Sequence, residues 1–100
     1  MFEPHKSIYM TRAVSEKLSI EHKQSIIQYL QEHQSQLTDY LQVFDFYIED
    51  NEQWLIQRQE VPNRETKIFV MLDDSDPIER TIWVMDQDSE GIIILFPDDY

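Results

Sequence analysis

The chain has 100 residues, and its 20 Asp and Glu residues outnumber its 8 Lys and Arg residues, which gives a formal net charge of −12. This acidity excludes ordinary nucleic-acid binding, because phosphate contacts need clustered Lys and Arg side chains, and it disfavours anionic membrane surfaces. One hydrophobic core is what a chain of this length can build, so we expect a single domain over residues 1–100.

The composition also predicts the cellular location of the protein. The hydrophobic fraction of 41% is high enough for the chain to fold despite its charge. The chain has no cysteine, its longest apolar run covers only residues 92–96, and its first residues contain no apolar signal segment. We therefore expect a cytoplasmic protein without membrane contacts.

The predicted elements begin with a short strand over residues 7–12, and one amphipathic helix follows. Ser19 is typical of a helix N-cap, and Glu21 suits the first turn. The apolar side chains that recur on one side of this helix are Ile20, Ile26, Ile27, Leu30 and Leu37. We expect a helix from about residue 20 to about residue 34, with one face buried.

After the helix, alternation with a period of two predicts five more strands separated by short turns. Their expected ranges are 40–48, 53–59, 66–72, 80–85 and 92–96. Because short turns favour antiparallel pairing of successive strands, the predicted fold class is α+β, a curved antiparallel β-sheet meander with one main helix packed on one face. We expect Leu41 and Val43 of the sheet, together with Ile27 and Leu30 of the helix, to be core residues.

Four short segments of the chain resemble one known family. They are Tyr-Met-Thr-Arg-Ala-Val at 9–14, Asp-Tyr-Leu-Gln-Val-Phe at 39–44, Gln-Glu-Val-Pro at 59–62 and Pro-Asp-Asp-Tyr at 97–100. In this order and spacing they are similar to the short proteins of domain-of-unknown-function family 960. That family occurs in staphylococci and related Gram-positive bacteria, including their mobile elements and phages. Because it is uncharacterised, the resemblance implies a class of host and no catalytic residue.

The residues that enzymes use most often are absent or poorly spaced. There is no cysteine, and His5, His22 and His33 show no spacing typical of a catalytic triad. His22 and His33 would lie roughly 16 Å apart along the helix, too far for one metal ion. Gly91 is the single glycine, so a phosphate-binding loop cannot form. We predict a protein that is not an enzyme and uses no cofactor.

Residues 86–91 resemble the opening of an EF-hand calcium loop, with oxygen-bearing side chains at positions 1, 3 and 5 and Gly91 at position 6. Position 12 is Pro97 instead of a bidentate Glu, so a high-affinity site is excluded. A hairpin turn is the favoured interpretation, and a weak calcium-binding module remains an alternative. We predict no tight metal site.

The candidate partner-binding residues are acidic and aromatic. Residues 51–100 hold 12 acidic and 4 basic side chains. Trp83 alternates with Ile82 and Val84 and is expected on the outer face of the sheet. Tyr29 lies off the apolar stripe, where it either anchors a partner or belongs to a wider buried face. The predicted partner-binding residues are Asp73, Asp74, Asp76, Glu79, Trp83 and Tyr29.

Together these features predict a non-enzymatic interaction protein whose partner is a protein with a basic surface. An alternative is a DNA mimic, in which carboxylates on a rigid domain occupy the basic groove of a nucleic-acid-binding protein. An acidic face that only keeps the domain in solution is a further alternative. The sequence does not identify the partner or the oligomeric state.

Overall fold

A six-stranded sheet carries the fold, and the computed structural model describes all residues from 1 to 100. The strands are β1 (Ile8–Met10), β2 (Leu41–Glu49), β3 (Glu52–Gln59), β4 (Arg64–Phe69), β5 (Arg80–Asp86) and β6 (Ile92–Leu95). The α-helices are α1 (Arg12–Lys17) and α2 (Ile20–His33), and single-turn 3₁₀ helices cover Gln34–Gln36, Asp88–Glu90 and Pro97–Asp99. The predicted α+β class with one main helix is confirmed.

The strand order differs from the sequential antiparallel meander that we predicted. The order across the sheet is β1-β6-β5-β2-β3-β4, and β1 pairs with β6 in parallel. Only β2, β3 and β4 form a meander, because β5 pairs with β2 instead of with β4. This position brings the fully buried Ile82 of β5 next to Phe44 at the centre of the sheet. Burial of apolar surface in the centre explains the order.

Helix α2 begins where its sequence predicts. The Ser19 side chain accepts a hydrogen bond from the His22 N–H at 3.1 Å, which satisfies one free donor of the first turn. Ile26 and Leu30 are buried against the sheet, whereas Ile20 is 69% exposed. The short helix α1 was not predicted; Thr11 caps it, and its Val14 joins the same core.

The inner face of β2 carries Gln42, Phe44 and Phe46, all buried beneath α2. Leu41 and Val43 therefore lie on the opposite face and are half-buried, so the prediction that they are core residues is wrong. Shifting a strand by one residue exchanges its two faces, and here the two large aromatic rings occupy the core.

Glutamines in the core form a connected network of hydrogen bonds. Gln57 donates to the Gln42 amide oxygen at 2.6 Å, and Gln42 donates to Gln59 at 2.8 Å. Arg64 extends this network to the hydroxyl of Tyr29 at 2.5 Å. No buried side-chain nitrogen or oxygen lacks a hydrogen-bond partner. Satisfied networks of this kind stabilise one arrangement of a core, because any other arrangement leaves polar groups unpaired.

Candidate functional site

The sheet face opposite α2 is not covered by a helix, because α1 and α2 both pack their buried side chains into the inner core. We call it the outer face. Its accessible or half-buried apolar and aromatic members are Tyr9, Leu41, Val43, Tyr47, Trp54, Ile56, Phe69, Trp83, Met85 and Ile93. Leu95 also lies on this face but is only 4% exposed. The polar members of the outer face are Asp45, Glu49, Glu52, Arg58, Glu65, Lys67 and Thr81. Apolar side chains therefore dominate a surface that faces solvent.

One aromatic cluster lies on the outer face where β2, β3 and β4 meet. The rings of Trp54 and Phe69 are 5.2 Å apart and meet edge to face. The Lys67 ammonium lies 4.8 Å from the Trp54 ring centre and forms an ion pair with Glu49 at 3.1 Å. The hydrogen bond to Glu49 raises the pKa of Lys67 further above neutral pH, so the ammonium stays charged over the indole. The cluster offers a large aromatic contact beside one ion pair.

Trp83 forms a second aromatic cluster with Tyr100. Their ring centres are 6.0 Å apart, and Trp83 stands between Val43 of β2 and Leu95 of β6. The prediction that Trp83 lies opposite Ile82 and Val84 is confirmed. Trp83 is half-buried, so part of its indole remains available for contact.

The charges near the centre of the outer face are paired with one another. Asp45 accepts a hydrogen bond from the Thr81 hydroxyl at 2.6 Å and forms an ion pair with Arg58. These contacts leave the centre of the face nearly neutral. A partner that covers this centre buries an ion pair, which costs less free energy than burying isolated charges.

The four predicted acidic residues lie elsewhere, on the loop formed by residues 70–79. Asp73, Asp74, Asp76 and Glu79 are all exposed. The carboxylate of Glu21, at the start of α2, accepts hydrogen bonds from the N–H groups of Asp73 (2.6 Å), Asp74 (3.0 Å) and Ser75 (2.7 Å). These bonds hold the loop against the helix. The acidic loop and Trp83 therefore belong to different faces of the molecule, and the predicted residues do not form one continuous site.

Tyr29 is not an exposed anchor, because it is only 5% exposed. Its ring stacks on His33 at 4.1 Å and meets Phe44 edge to face at 5.7 Å. Arg64 of β4 donates to its hydroxyl. The sheet extends beyond the apolar stripe of α2, so the buried face of the helix is wider than the stripe indicates. The alternative that Tyr29 belongs to a wider buried face is confirmed, and the prediction that it is an exposed partner-binding residue is wrong.

The loop that resembles a calcium site is held by other contacts. Lys6 forms an ion pair with Asp86 at 2.6 Å, and the Asp86 side chain is only 2% exposed. Gly91 has a φ of +101°, and a Cβ there would lie 2.6 Å from the Ser7 carbonyl oxygen. No group of three or more His, Cys, Asp or Glu side chains could hold a metal ion. The calcium alternative stays a prediction, and any cation would have to compete with the Lys6 ammonium for Asp86.

A groove of about 450 Å³ lies between α2 and β4. Ile68 and Val70 lie along its sheet side, and Gln24, Gln28 and Glu32 line its helix side. Sequence reasoning missed this groove and the extent of the outer face. Apolar residues occur at both odd and even positions of β2 and β3, for example Val43 beside Phe44. This pattern indicates a sheet with two apolar faces.

A comparison with solved structures found the same fold in the crystal structure of a protein of unknown function from Enterococcus faecalis. The TM-score is 0.84 and the sequence identity is 21%, over 99% of this chain and 94% of that chain. At this identity the likeness shows the fold alone. No family model and no curated protein matches the chain, so the resemblance to domain-of-unknown-function family 960 stays a prediction. No helix is long and apolar enough to cross a membrane.

Proposed function

We propose that this protein is a non-enzymatic interaction domain of the cytoplasm, and that its outer face binds a partner protein with a basic surface. The observation that carries the proposal is the apolar, uncovered outer face with its two aromatic clusters. Monomeric proteins seldom expose large contiguous apolar surfaces, and such surfaces mark sites of interaction. Tyr and Trp are also the side chains that most often dominate binding energy at interfaces.

The size of the outer face fits a protein partner. The six strands have three to nine residues each, and at about 3.4 Å per residue and about 4.8 Å between strands they give a surface of roughly 600 Å² before side-chain relief is counted. Stable complexes bury about 800 Å² on each partner, so the face and its rim provide enough area for one. A concavity of about 750 Å³ lies at one end of the outer face, where Leu41, Val43 and Arg58 line it. It contains no side chain of the two aromatic clusters, so a small molecule bound there would not use the surface on which this proposal rests.

The basic character of the partner follows from charge. With a net charge of −12, the protein attracts cationic surfaces and repels acidic ones. The loop 70–79 is held against α2 at residues 73–75, away from Trp83, so its exposed acids act mainly through their long-range field, which accelerates association. The apolar contact then determines how long the complex lasts.

Affinity capture with matched variants tests this proposal. Wild-type protein, Trp83→Ala and Ile20→Ala are immobilised, and cell extract is applied at low and high salt. Ile20→Ala is the control, because it removes an exposed apolar side chain from α2. We expect a basic protein that wild type and Ile20→Ala retain at low salt, that Trp83→Ala loses, and that high salt weakens.

Equal retention by all three proteins, or an acidic partner, would contradict the proposal. The identity of the captured protein also tests the DNA-mimic alternative, which stays a prediction. If the captured protein binds duplex DNA, and if DNA and this protein displace each other from it, the domain occupies a nucleic-acid site.

A further inference from the structure

Strand β4 is an edge of the sheet, because β3 is its one neighbour. The Val70 N–H donates to the Gln53 carbonyl at 3.0 Å, so the backbone N–H and C=O groups of Val70 point toward β3. Backbone groups alternate in direction along an antiparallel pair. The N–H and C=O groups of Glu65, Lys67 and Phe69 therefore point away from β3, toward the open edge.

The groove between α2 and β4 runs beside this open edge. Ile68 lies on the inner face of β4, yet it is only half-buried because α2 does not cover it fully. Leu55 and Val70 add further apolar surface to the groove. A strand placed along β4 would direct every second side chain into this space.

The two ends of the groove are acidic. Glu21 and Asp73 lie at one end and Glu32 at the other, and no Lys or Arg side chain lines the groove. The backbone N–H groups of the loop lower the pKa of Glu21 to about 2, so its negative charge persists at neutral pH. Glu21 and Glu32 are separated by roughly 16 Å along the helix. The first and fifth residues of an extended chain lie about 13 Å apart, and long basic side chains reach the remaining distance.

We propose that β4 binds an extended cationic segment of a partner protein as a seventh strand. The segment has basic residues at its first and fifth positions and a branched apolar residue at its third position. The apolar side chain lies over Ile68 and Val70, and the two basic side chains meet the acidic ends. Strand addition beside a helix is an established mode of peptide recognition, in which backbone bonds give affinity and alternate side chains give specificity.

Lys67 does not block this edge, although edge lysines often prevent strand pairing. Its ammonium is held by Glu49 over the Trp54 ring, which places the charge on the outer face. The edge site is separate from the Trp83 cluster, so this proposal goes beyond the proposed function. Either proposal can be wrong while the other is correct.

Fluorescence anisotropy with a defined peptide tests the proposal. The probe is a labelled nonapeptide with the sequence Ser-Ser-Lys-Thr-Val-Thr-Lys-Ser-Ser, and the control peptide carries Glu in place of both Lys residues. We expect the lysine peptide to bind with a Kd below about 1 mM and the glutamate peptide to bind at least about 10-fold more weakly. Equal affinities, or no binding of the lysine peptide, would overturn the proposal.

A proline substitution tests the role of the edge. Lys67→Pro removes an N–H group that points away from β3, and its ring obstructs an incoming strand. Lys67→Ala is the matched control, because it removes the same side chain and keeps the N–H. We expect Lys67→Pro to weaken binding at least about 10-fold, and both Lys67→Ala and Trp83→Ala to change it less than about 2-fold. Equal affinities of the two Lys67 variants would refute strand addition.

Amide hydrogen exchange in the wild-type protein provides a readout that needs no variant. In the free protein, the amides of Glu65, Lys67 and Phe69 should exchange quickly, and those of Thr66 and Ile68 slowly. Saturating lysine peptide should slow exchange at the three edge amides. If these amides keep their free exchange rates while the peptide is bound, the peptide does not add to β4.

Discussion

Gln53 joins three parts of the molecule through one side-chain amide. Its nitrogen donates to the carbonyl oxygens of Tyr47 at 2.8 Å and Ile78 at 3.1 Å, and its oxygen accepts from the Ile78 N–H at 2.8 Å. The same oxygen lies 2.9 Å from Nε2 of His22, which must donate because an amide oxygen only accepts. One residue thereby holds the loop 70–79 and helix α2 against the sheet.

Replacing this amide should destabilise the fold. Gln53→Leu keeps most of the volume but leaves the buried His22 ring nitrogen and the Ile78 backbone without partners. We expect the free energy of unfolding to fall by about 2–4 kcal/mol in urea titrations. The control Gln31→Leu, at an exposed position of α2, should change it by less than about 0.5 kcal/mol. Similar stabilities for the two variants would show that the amide network contributes little.

The contact between α2 and the loop 70–79 should make stability depend on pH. Hydrogen bonds from the loop, that of Asp73 foremost, lower the pKa of Glu21 from 4.5 to about 2. Because the folded pKa lies below the unfolded one, this stabilisation is complete above about pH 5 and is lost as pH falls toward 2. The free energy of unfolding of Glu21→Gln should therefore fall less between pH 5 and pH 2 than that of wild type. Parallel pH profiles would contradict this.

Some elements could be predicted from the sequence because their signals are local. Ser19 and the apolar stripe define α2 to within one residue at its C-terminal end. The faces of β2 could not be predicted, because Leu41 and Val43 at one parity compete with Phe44 and Phe46 at the other. Only the tertiary structure decides which set is buried.

The site was less predictable than the elements, since it depends on how strands pair over long distances. The turn residues indicate where β4 ends and β5 begins. They do not show that β5 pairs with β2 instead of with β4. The pairing of β5 with β2 separates the acidic loop from Trp83. Tyr29 was misplaced for a similar reason, because its burial depends on Arg64 of β4, a residue 35 positions away in the chain.

At the scale of the whole molecule, the charge and the apolar contact surface are separate. Neutralising the loop with Asp73→Asn, Asp74→Asn, Asp76→Asn and Glu79→Gln should slow association with the captured partner and flatten its salt dependence. Trp83→Ala should mainly raise the dissociation rate. Both are measured by surface plasmon resonance.

A control with the same net charge distinguishes the loop from the rest of the surface. It neutralises four other exposed acids, Glu16, Glu60, Asp88 and Glu90. If the loop steers the partner, this control should associate faster than the loop variant. If both variants associate at the same rate, only the net charge matters. If neither loses its partner and both precipitate more readily, the acids serve solubility alone.

Hydroxyl-radical footprinting of the protein, alone and in complex with its captured partner, shows which face of the sheet the partner covers. If the outer face is the interaction surface, Tyr47, Trp54 and Trp83 become less reactive in the complex, while Ile20 on α2 keeps its reactivity. The opposite pattern, with the outer aromatic side chains unchanged and the α2 side protected, would contradict the outer face as the interaction surface.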